Sequence, residues 1–235
     1  GDMILGALVD VGVDFKEIQD GLKKLNLQGC DIQARLVKRG MFSCTKVDVV
    51  TDRRARHHFR TLKEIRSIIK AGRLPEKVCN KSIAVFEKIA KAEARVHRTK
   101  VDKIHFHEVG AIDSIVDIVG GVLGVSLLRV DRILSSPVNT GQGTVTCEHG
   151  VLPVPAPATL ELLKGIPCYS SGVEKELATP TGVAMIGSLA ENFVSLPRMK
   201  ILETGYGAGG HTIKELPNFL RIIIGEEKGG EDFLT

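Results

Sequence analysis

The chain has 235 residues, 43% of them hydrophobic and 26% charged, the make-up of an ordinary water-soluble globular protein. That length suits one large domain or two small ones, able to bury roughly 70% of the unfolded surface without help from disulfides. No apolar run approaches the roughly 20 residues of a membrane span, and no signal peptide opens the chain. With 4% aromatic residues and no Trp, a stacking platform for single-stranded nucleic acid is not expected. A net charge of +4 suits a small anionic ligand and falls short of a nucleic-acid footprint. Neither nucleic acid nor a membrane is therefore expected as a partner. The five cysteines are an odd number with no C-x-x-C pair, which reads as reduced thiols in a cytoplasmic protein.

The chain enters directly on an apolar helical pattern over 1–11, with Ile4, Leu5 and Leu8 on one face and Gly12 as the stop. It reads as a fragment that lacks a first strand. A second helix starts at Asp14, with Glu17 at capping-box spacing and Phe15, Ile18, Leu22 and Leu25 on one stripe. Ile32, Ala34 and Leu36 alternate with polar residues, Arg39-Gly40 turns, and Val47 and Val49 alternate back, which predicts a β-hairpin. Thr61 and Glu64 form a second capping box, for a helix ending near Gly72. Pro75 then opens a longer helix with Val78, Val85, Phe86, Ile89 and Val96 inward. A short strand over 103–106 precedes a helix over 111–128.

From 131 to 180 short apolar runs are broken by Gly and Pro. Pro157 starts a short helix that stops at Gly165, and Thr179-Pro180 starts another that reaches Phe193. Strands over 199–203 and 218–225 flank a glycine-rich stretch. Gly205, Gly207 and Gly210 match G-x-G-x-x-G, but Pro217 leaves no room for the helix a dinucleotide site needs, so a glycine-rich turn is expected. The element order predicts an α+β fold, a helix-rich first half packed with a β-richer second half around a mixed sheet. Residues 1–225 read as one domain with a subdivision near 130 left open, and 226–235 as a linker or tail.

The densest chemical signal is His105-Phe106-His107-Glu108, followed by Asp113 and Asp117. Two histidines two apart on a strand point to one face, and two aspartates four apart on a helix share one too. Together they suit a borderline divalent metal such as Zn, Ni, Co or Fe. At about 100° per residue, Gly120 and Gly124 fall near Asp113 and Asp117, and the rest of the helix is nearly all Ile, Val and Leu. A helix so apolar is buried, and carboxylates on it need a metal, a basic side chain or backbone donors beside them. The two glycines leave room for another backbone or a ligand. Arg56-His57-His58, in a basic run, offers a phosphate contact or loose imidazole ligands. Thr179, Thr181 and Gly182 at a helix N-terminus form a natural anion site. Against each stands a plainer role: core histidines, a cap at Asp113, a lysine partner for Asp117, a solvated basic loop, an ordinary Thr cap.

The stretch His-Phe-His-Glu-Val-Gly-Ala-Ile-Asp-Ser-Ile-Val-Asp-Ile-Val-Gly over 105–120 resembles the LarC family of nickel-insertion proteins. The resemblance extends to Gly1-Asp2-Met3-Ile4-Leu5-Gly6-Ala7-Leu8, to His149-Gly150 and Pro153-Val154-Pro155-Ala156-Pro157-Ala158-Thr159, to Thr179-Pro180-Thr181-Gly182 and to Gly205-Tyr206-Gly207-Ala208-Gly209. It implies a CTP-dependent nickel chelatase of the lyase class. Such a protein inserts Ni(II) into pyridinium-3,5-bisthiocarboxylic acid mononucleotide, giving the nickel-pincer cofactor of lactate racemase-type enzymes. It also implies that the histidine-rich segment of the family aligns with His57 and His58. CTP, with Mg(II) or Mn(II), is expected at a C-terminal domain that follows this portion and acts as its partner.

Chemistry and spacing then assign the expected roles. His105, His107 and Glu108, with Asp113 or Asp117, hold Ni(II) in a partly open site, joined by His57 and His58. Thr179, Thr181, Gly182 or Arg56 position the substrate phosphate. Thiocarboxylate sulfur displaces the weaker oxygen ligands, since soft donors compete well for nickel. Two other readings stay open: a metal-dependent phosphoester hydrolase with Glu108 as general base, and a structural module without metal. A homo-oligomer is also left open.

Overall fold

The computed structural model describes residues 1–51, 60–106, 111–147, 149–213 and 216–227, with the backbone alone at His105. Along the chain, α1 (Asp2–Asp10) and α2 (Phe15–Lys23) lead into a hairpin of β1 (Cys30–Arg39) and β2 (Phe42–Thr51). Next come β3 (Arg60–Thr61), α3 (Leu62–Ala71), α4 (Glu76–Val96), β4 (His105–Phe106) and α5 (Ile112–Leu128). Short strands follow: β5 (Leu134–Ser135), β6 (Val138–Asn139), and the hairpin of β7 (Thr144–Cys147) and β8 (Gly150–Pro153). The remainder is α6 (Pro157–Leu162), β9 (Cys168–Tyr169), α7 (Pro180–Leu189), β10 (Asn192–Phe193), β11 (Met199–Ala208) and β12 (Phe219–Glu227).

Local chemistry accounts for most of these boundaries. Glu64 N donates to Thr61 Oγ1 at 3.3 Å and Thr61 N to Glu64 Oε2 at 2.7 Å, the reciprocal box that starts α3. Asp14 caps α2 by accepting from Lys16 N at 2.8 Å. Pro75 stands at the N-cap of α4, one residue before the expected first helical position. Helix α7 ends at Leu189, short of the expected Phe193, because α4 closes it from the side. Lys81 and Lys88 donate to the carbonyls of Ser188 and Gly187, and the chain turns extended at Ala190 so that β10 can pair with β5.

The main sheet is mixed, in the order β1-β2-β11-β12: the β1–β2 and β11–β12 pairs are antiparallel, while β2 and β11 run parallel. This is the expected α+β fold with a mixed sheet. Two of the four strands come from the first half of the chain and two from residues 199–227, so the sheet joins segments far apart in sequence. The hairpin forms where predicted, but its apolar alternation is buried only toward the helices: Ile32 and Val47 are buried while Leu36 is 76% exposed.

The expectation of a glycine-rich turn at 205–210 is corrected here. Gly205 and Gly207 lie inside β11. They are glycine because α1 crosses directly over them. A Cβ on Gly205 would sit 2.5 Å from Ala7 O and Val11 N, and one on Gly207 would collide with Met3 O and Ala7 N. Gly6 on the helix side meets Thr45 O in the same way. At the C-terminal end of α1, the Asp10 carboxylate accepts from Thr45 Oγ1 at 2.6 Å and from Tyr206 N at 2.7 Å. It thereby bridges β2 and β11 where their pairing is confined to Gly207 and Thr45.

On the other side of α1 the core fills with Leu5, Leu8, Ile18, Ile65, Phe86, Ile89, Ile115 and Ile118, joined by Met185 from α7. A smaller cluster of Val138, Leu163, Ala178 and Val183 lies beneath α6 and the start of α7. All five cysteines are free thiols. Among the described residues, no helix is long and apolar enough to cross a membrane.

Gly207→Ala is expected to destabilise the fold by about 1–3 kcal/mol, the usual cost of forcing atoms into a filled site. Gly210→Ala, whose Cβ would meet nothing within 4 Å, should stay within about 0.5 kcal/mol of wild type. Urea unfolding midpoints for the two variants check the difference.

Candidate metal centre

Helix α5 is enclosed by α1, α2, α4 and α7 and is buried along most of its length. The two aspartates therefore meet different surroundings although they are one turn apart. Asp113, in the first turn, is exposed, and its Oδ1 accepts from Ser114 N at 2.8 Å. Asp117 points inward at the start of α1. Its carboxylate accepts from the Asp2 backbone N–H and packs so closely on Gly1 that a Cβ there would collide with it.

Burial, joined by the nearby Asp2 and Asp113 carboxylates, pushes the Asp117 carboxyl up to about 6. The Asp2 N–H partly offsets that rise. The positive end of α1 is thus the compensation that a carboxylate on so apolar a helix requires. Among the described residues no basic side chain pairs with Asp117. Lys46 lies 2.6 Å from Asp48 and 4.0 Å from Asp2.

Around Asp113 a recess of about 270 Å³ opens, with Val49, Thr51, Ala111 and Ile112 also on its wall. One backbone pairing reaches it and a second lies next along the chain. Cys30 pairs with Thr51 at the base of the hairpin. Thr61 pairs with His105 and Arg60 with Phe106, so β3 lies alongside β4. Thr51 and Arg60 bracket residues 52–59, so both described ends of the segment holding Arg56, His57 and His58 are anchored beside the His105–Asp113 stretch. Arg56, His57, His58, His107 and Glu108 themselves lie outside the described residues, as does the side chain of His105. Among the described residues, no three His, Cys, Asp or Glu side chains are placed to hold a metal ion.

The stripe of Gly120 and Gly124, expected to admit a backbone or a ligand, is taken up by helix packing. Leu5 and Leu22 press on Gly120, and Leu8 and Ile18 on Gly124. Thr179, Thr181 and Gly182 form the N-terminus of α7, where Thr179 Oγ1 accepts from Gly182 N at 3.3 Å. That end of α7 packs on the smaller core cluster through Ala178 and Val183, and none of the three is among the described residues lining the Asp113 recess.

Cys30 escaped notice in the sequence because it stands alone among polar residues. Burial pushes its thiol up to about 11, and the Asp31 and Asp113 carboxylates add to the rise. Only the hairpin register places this soft donor close enough to feel Asp113. Asp2 was equally illegible, since its closeness to Asp117 depends on how α1 crosses α5.

The model of the family described as "Nickel insertion protein" matches residues 1–233. The chain is also similar to proteins named pyridinium-3,5-bisthiocarboxylic acid mononucleotide nickel insertion protein. The one from Geobacillus kaustophilus is 44% identical over 97% of this chain and 57% of its own length. Those from Desulfitobacterium hafniense and Acetivibrio thermocellus are each 44% identical over 98% of this chain, and over 58% and 59% of their own lengths. The chain thus spans somewhat under three fifths of these curated relatives. No solved structure matches it.

In metal-free protein the Asp117 carboxyl titrates near 6 in the fold against an ordinary value of 3.8. Its contribution to stability is full below pH 4 and is lost as pH rises through 6. Asp117→Asn removes that loss, so its stability relative to wild type should rise by about 2–3 kcal/mol between pH 4 and pH 7. Urea unfolding of both proteins across that range checks it, and a pH-independent difference would show that α1 compensates the charge in full.

Proposed function

The chain belongs to the nickel insertion protein family, and from that premise we propose that it is the nickel-binding part of a chelatase that inserts Ni(II) into pyridinium-3,5-bisthiocarboxylic acid mononucleotide. The observation that carries this reading is the convergence at the start of α5. A half-buried carboxylate, Asp117, lies one turn from an exposed one, Asp113, which shares a recess with Thr51. Arg60 pairs with Phe106 next to His105, so the described ends of the segment holding His57 and His58 flank this stretch of the chain. Nickel is here a substrate in transit, so a site of mixed nitrogen and oxygen donors, open on one side, suits it better than a closed cage.

His105, His107 and Glu108 with Asp113 or Asp117 would hold the ion, with His57 and His58 as further donors. Carboxylate oxygens are the ligands most easily displaced by the thiocarboxylate sulfurs of the mononucleotide. A proton and a metal compete for the same oxygen at Asp117, so nickel affinity should fall as pH drops through 6. Thr179, Thr181 and Gly182 at the head of the ten-residue α7, with Arg56, are the groups suited to the substrate phosphate. The product would be the nickel-pincer cofactor of lactate racemase-type enzymes. CTP with Mg(II) or Mn(II), and the lyase chemistry they support, are assigned to the part of the relatives' length that this chain does not span. Free thiols throughout suit a cytoplasmic setting.

The test is thermal unfolding of metal-free protein titrated with Ni(II), Zn(II), Co(II) and Mg(II), beside the His105→Ala/His107→Ala variant. A site filled to about 100 times its Kd adds about 2.7 kcal/mol of stability, so wild type should show a saturable rise of several degrees with Ni(II) that shrinks by this site's share in the variant. No rise with any metal would leave the cluster structural, with Asp117 serving only the end of α1. Phosphoester turnover with added metal would favour the hydrolase.

A further inference from the structure

Away from that centre, the 21-residue helix α4 ends on His97, whose backbone N–H still bonds to Glu93 O. Glu93 and His97 are four apart and so share a helix face, and the Glu93 carboxylate lies 3.4 Å from His97 Nε2. A third group arrives from a distant part of the chain. Strands β7 and β8 pair through Cys147 and Gly150, which puts His149 in the two-residue turn between them. Its ring lies 5.2 Å from that of His97, centre to centre, with the planes tilted by 37°.

We propose that His97 and His149, assisted by Glu93, form a second, solvent-open binding site for a borderline divalent cation such as Ni(II) or Zn(II). Two nitrogens bound to one ion at about 2.0–2.1 Å stand about 3–4 Å apart. Two imidazoles bound to one ion have ring centres about 5 Å apart, close to the 5.2 Å between His97 and His149, so side-chain rotation can bring a nitrogen of each to a shared ion. The 37° tilt departs from flat stacking. His149 is exposed and the His97 side chain is 41% exposed, so water can fill the remaining coordination positions.

The position also favours positive charge. The negative end of a long helix dipole lies at His97, and Arg95, the basic residue of the last turn, is directed to Glu161 at 3.4 Å. Among the described residues, Glu93, His97 and His149 included, no three His, Cys, Asp or Glu side chains are already placed around one ion. The site is therefore a two-imidazole chelate that Glu93 closes by turning from His97 Nε2 toward the ion. An ion there would pin the β7–β8 turn to the end of α4.

None of these residues belongs to the centre at α5, so the inference stands or falls separately from the nickel-insertion reading. The test is equilibrium dialysis of the full chain against Ni(II) in a His105→Ala/His107→Ala background. That background should still bind one Ni(II) per chain through this pair. Adding either His97→Ala or His149→Ala should weaken that binding at least tenfold, and the two together no further, as expected for a chelate that needs both rings. Glu93→Gln should weaken it by a smaller factor. His149→Gln, at an exposed turn, provides a variant whose melting temperature should match the background. Absence of nickel from the background, or a change of less than threefold on losing either histidine, would overturn the proposal.

Discussion

Everything near the candidate centre depends on how closely α1 lies on the sheet. Gly6 on the helix and Gly205 and Gly207 on β11 remove the side chains that would hold the two apart, so backbone meets backbone. Asp10 then locks the helix down by accepting from both β2 and β11. This contact joins the hairpin to the last two strands and so makes one mixed sheet from segments far apart in sequence. It also points the opposite end of the same short helix at α5, where the Asp2 N–H meets the Asp117 carboxylate. A side chain at any of the three glycines would lift the helix and move the donor away from its acceptor.

The second constraint is the apolar character of α5. A helix enclosed by four others offers little water to a carboxylate on its inner face, so the half-buried Asp117 leans on the end of α1 and keeps a raised proton affinity. Asp113, one turn earlier, faces the recess and solvent. The pair thus presents one carboxylate that is held back and one that is open to solvent. On the proposed reading, a centre that takes up an ion and then releases it gains from that asymmetry, since the exposed oxygen is the more readily displaced. Cys30 lies close enough for its thiol to feel Asp113.

The β7–β8 hairpin and the end of α4 show a different arrangement, with exposed imidazoles at the surface and no buried charge. Helix α4 connects this surface to the strand of His105: its C-terminal end carries His97, and the chain leaving it forms that strand.

Local chemistry was written plainly in the sequence. The Thr61–Glu64 box, the Asp14 cap, the hairpin register around Arg39-Gly40 and the span of α5 all rest on neighbours within a few residues, where spacing alone decides geometry. The family could be read from its motifs for the same reason: they are contiguous. What the sequence could not supply came from contacts between distant segments. Gly205 and Gly207 looked like a turn because nothing nearby reveals that α1 crosses over them. Helix α7 looked longer because Lys81 and Lys88, which close it, sit a hundred residues away. The Asp117 carboxylate plainly needed a partner, but the choice among a metal, a lysine and a helix end depended on the packing of α1 against α5. Periodicity reports which face of an element is buried; only the assembled fold determines what it is buried against.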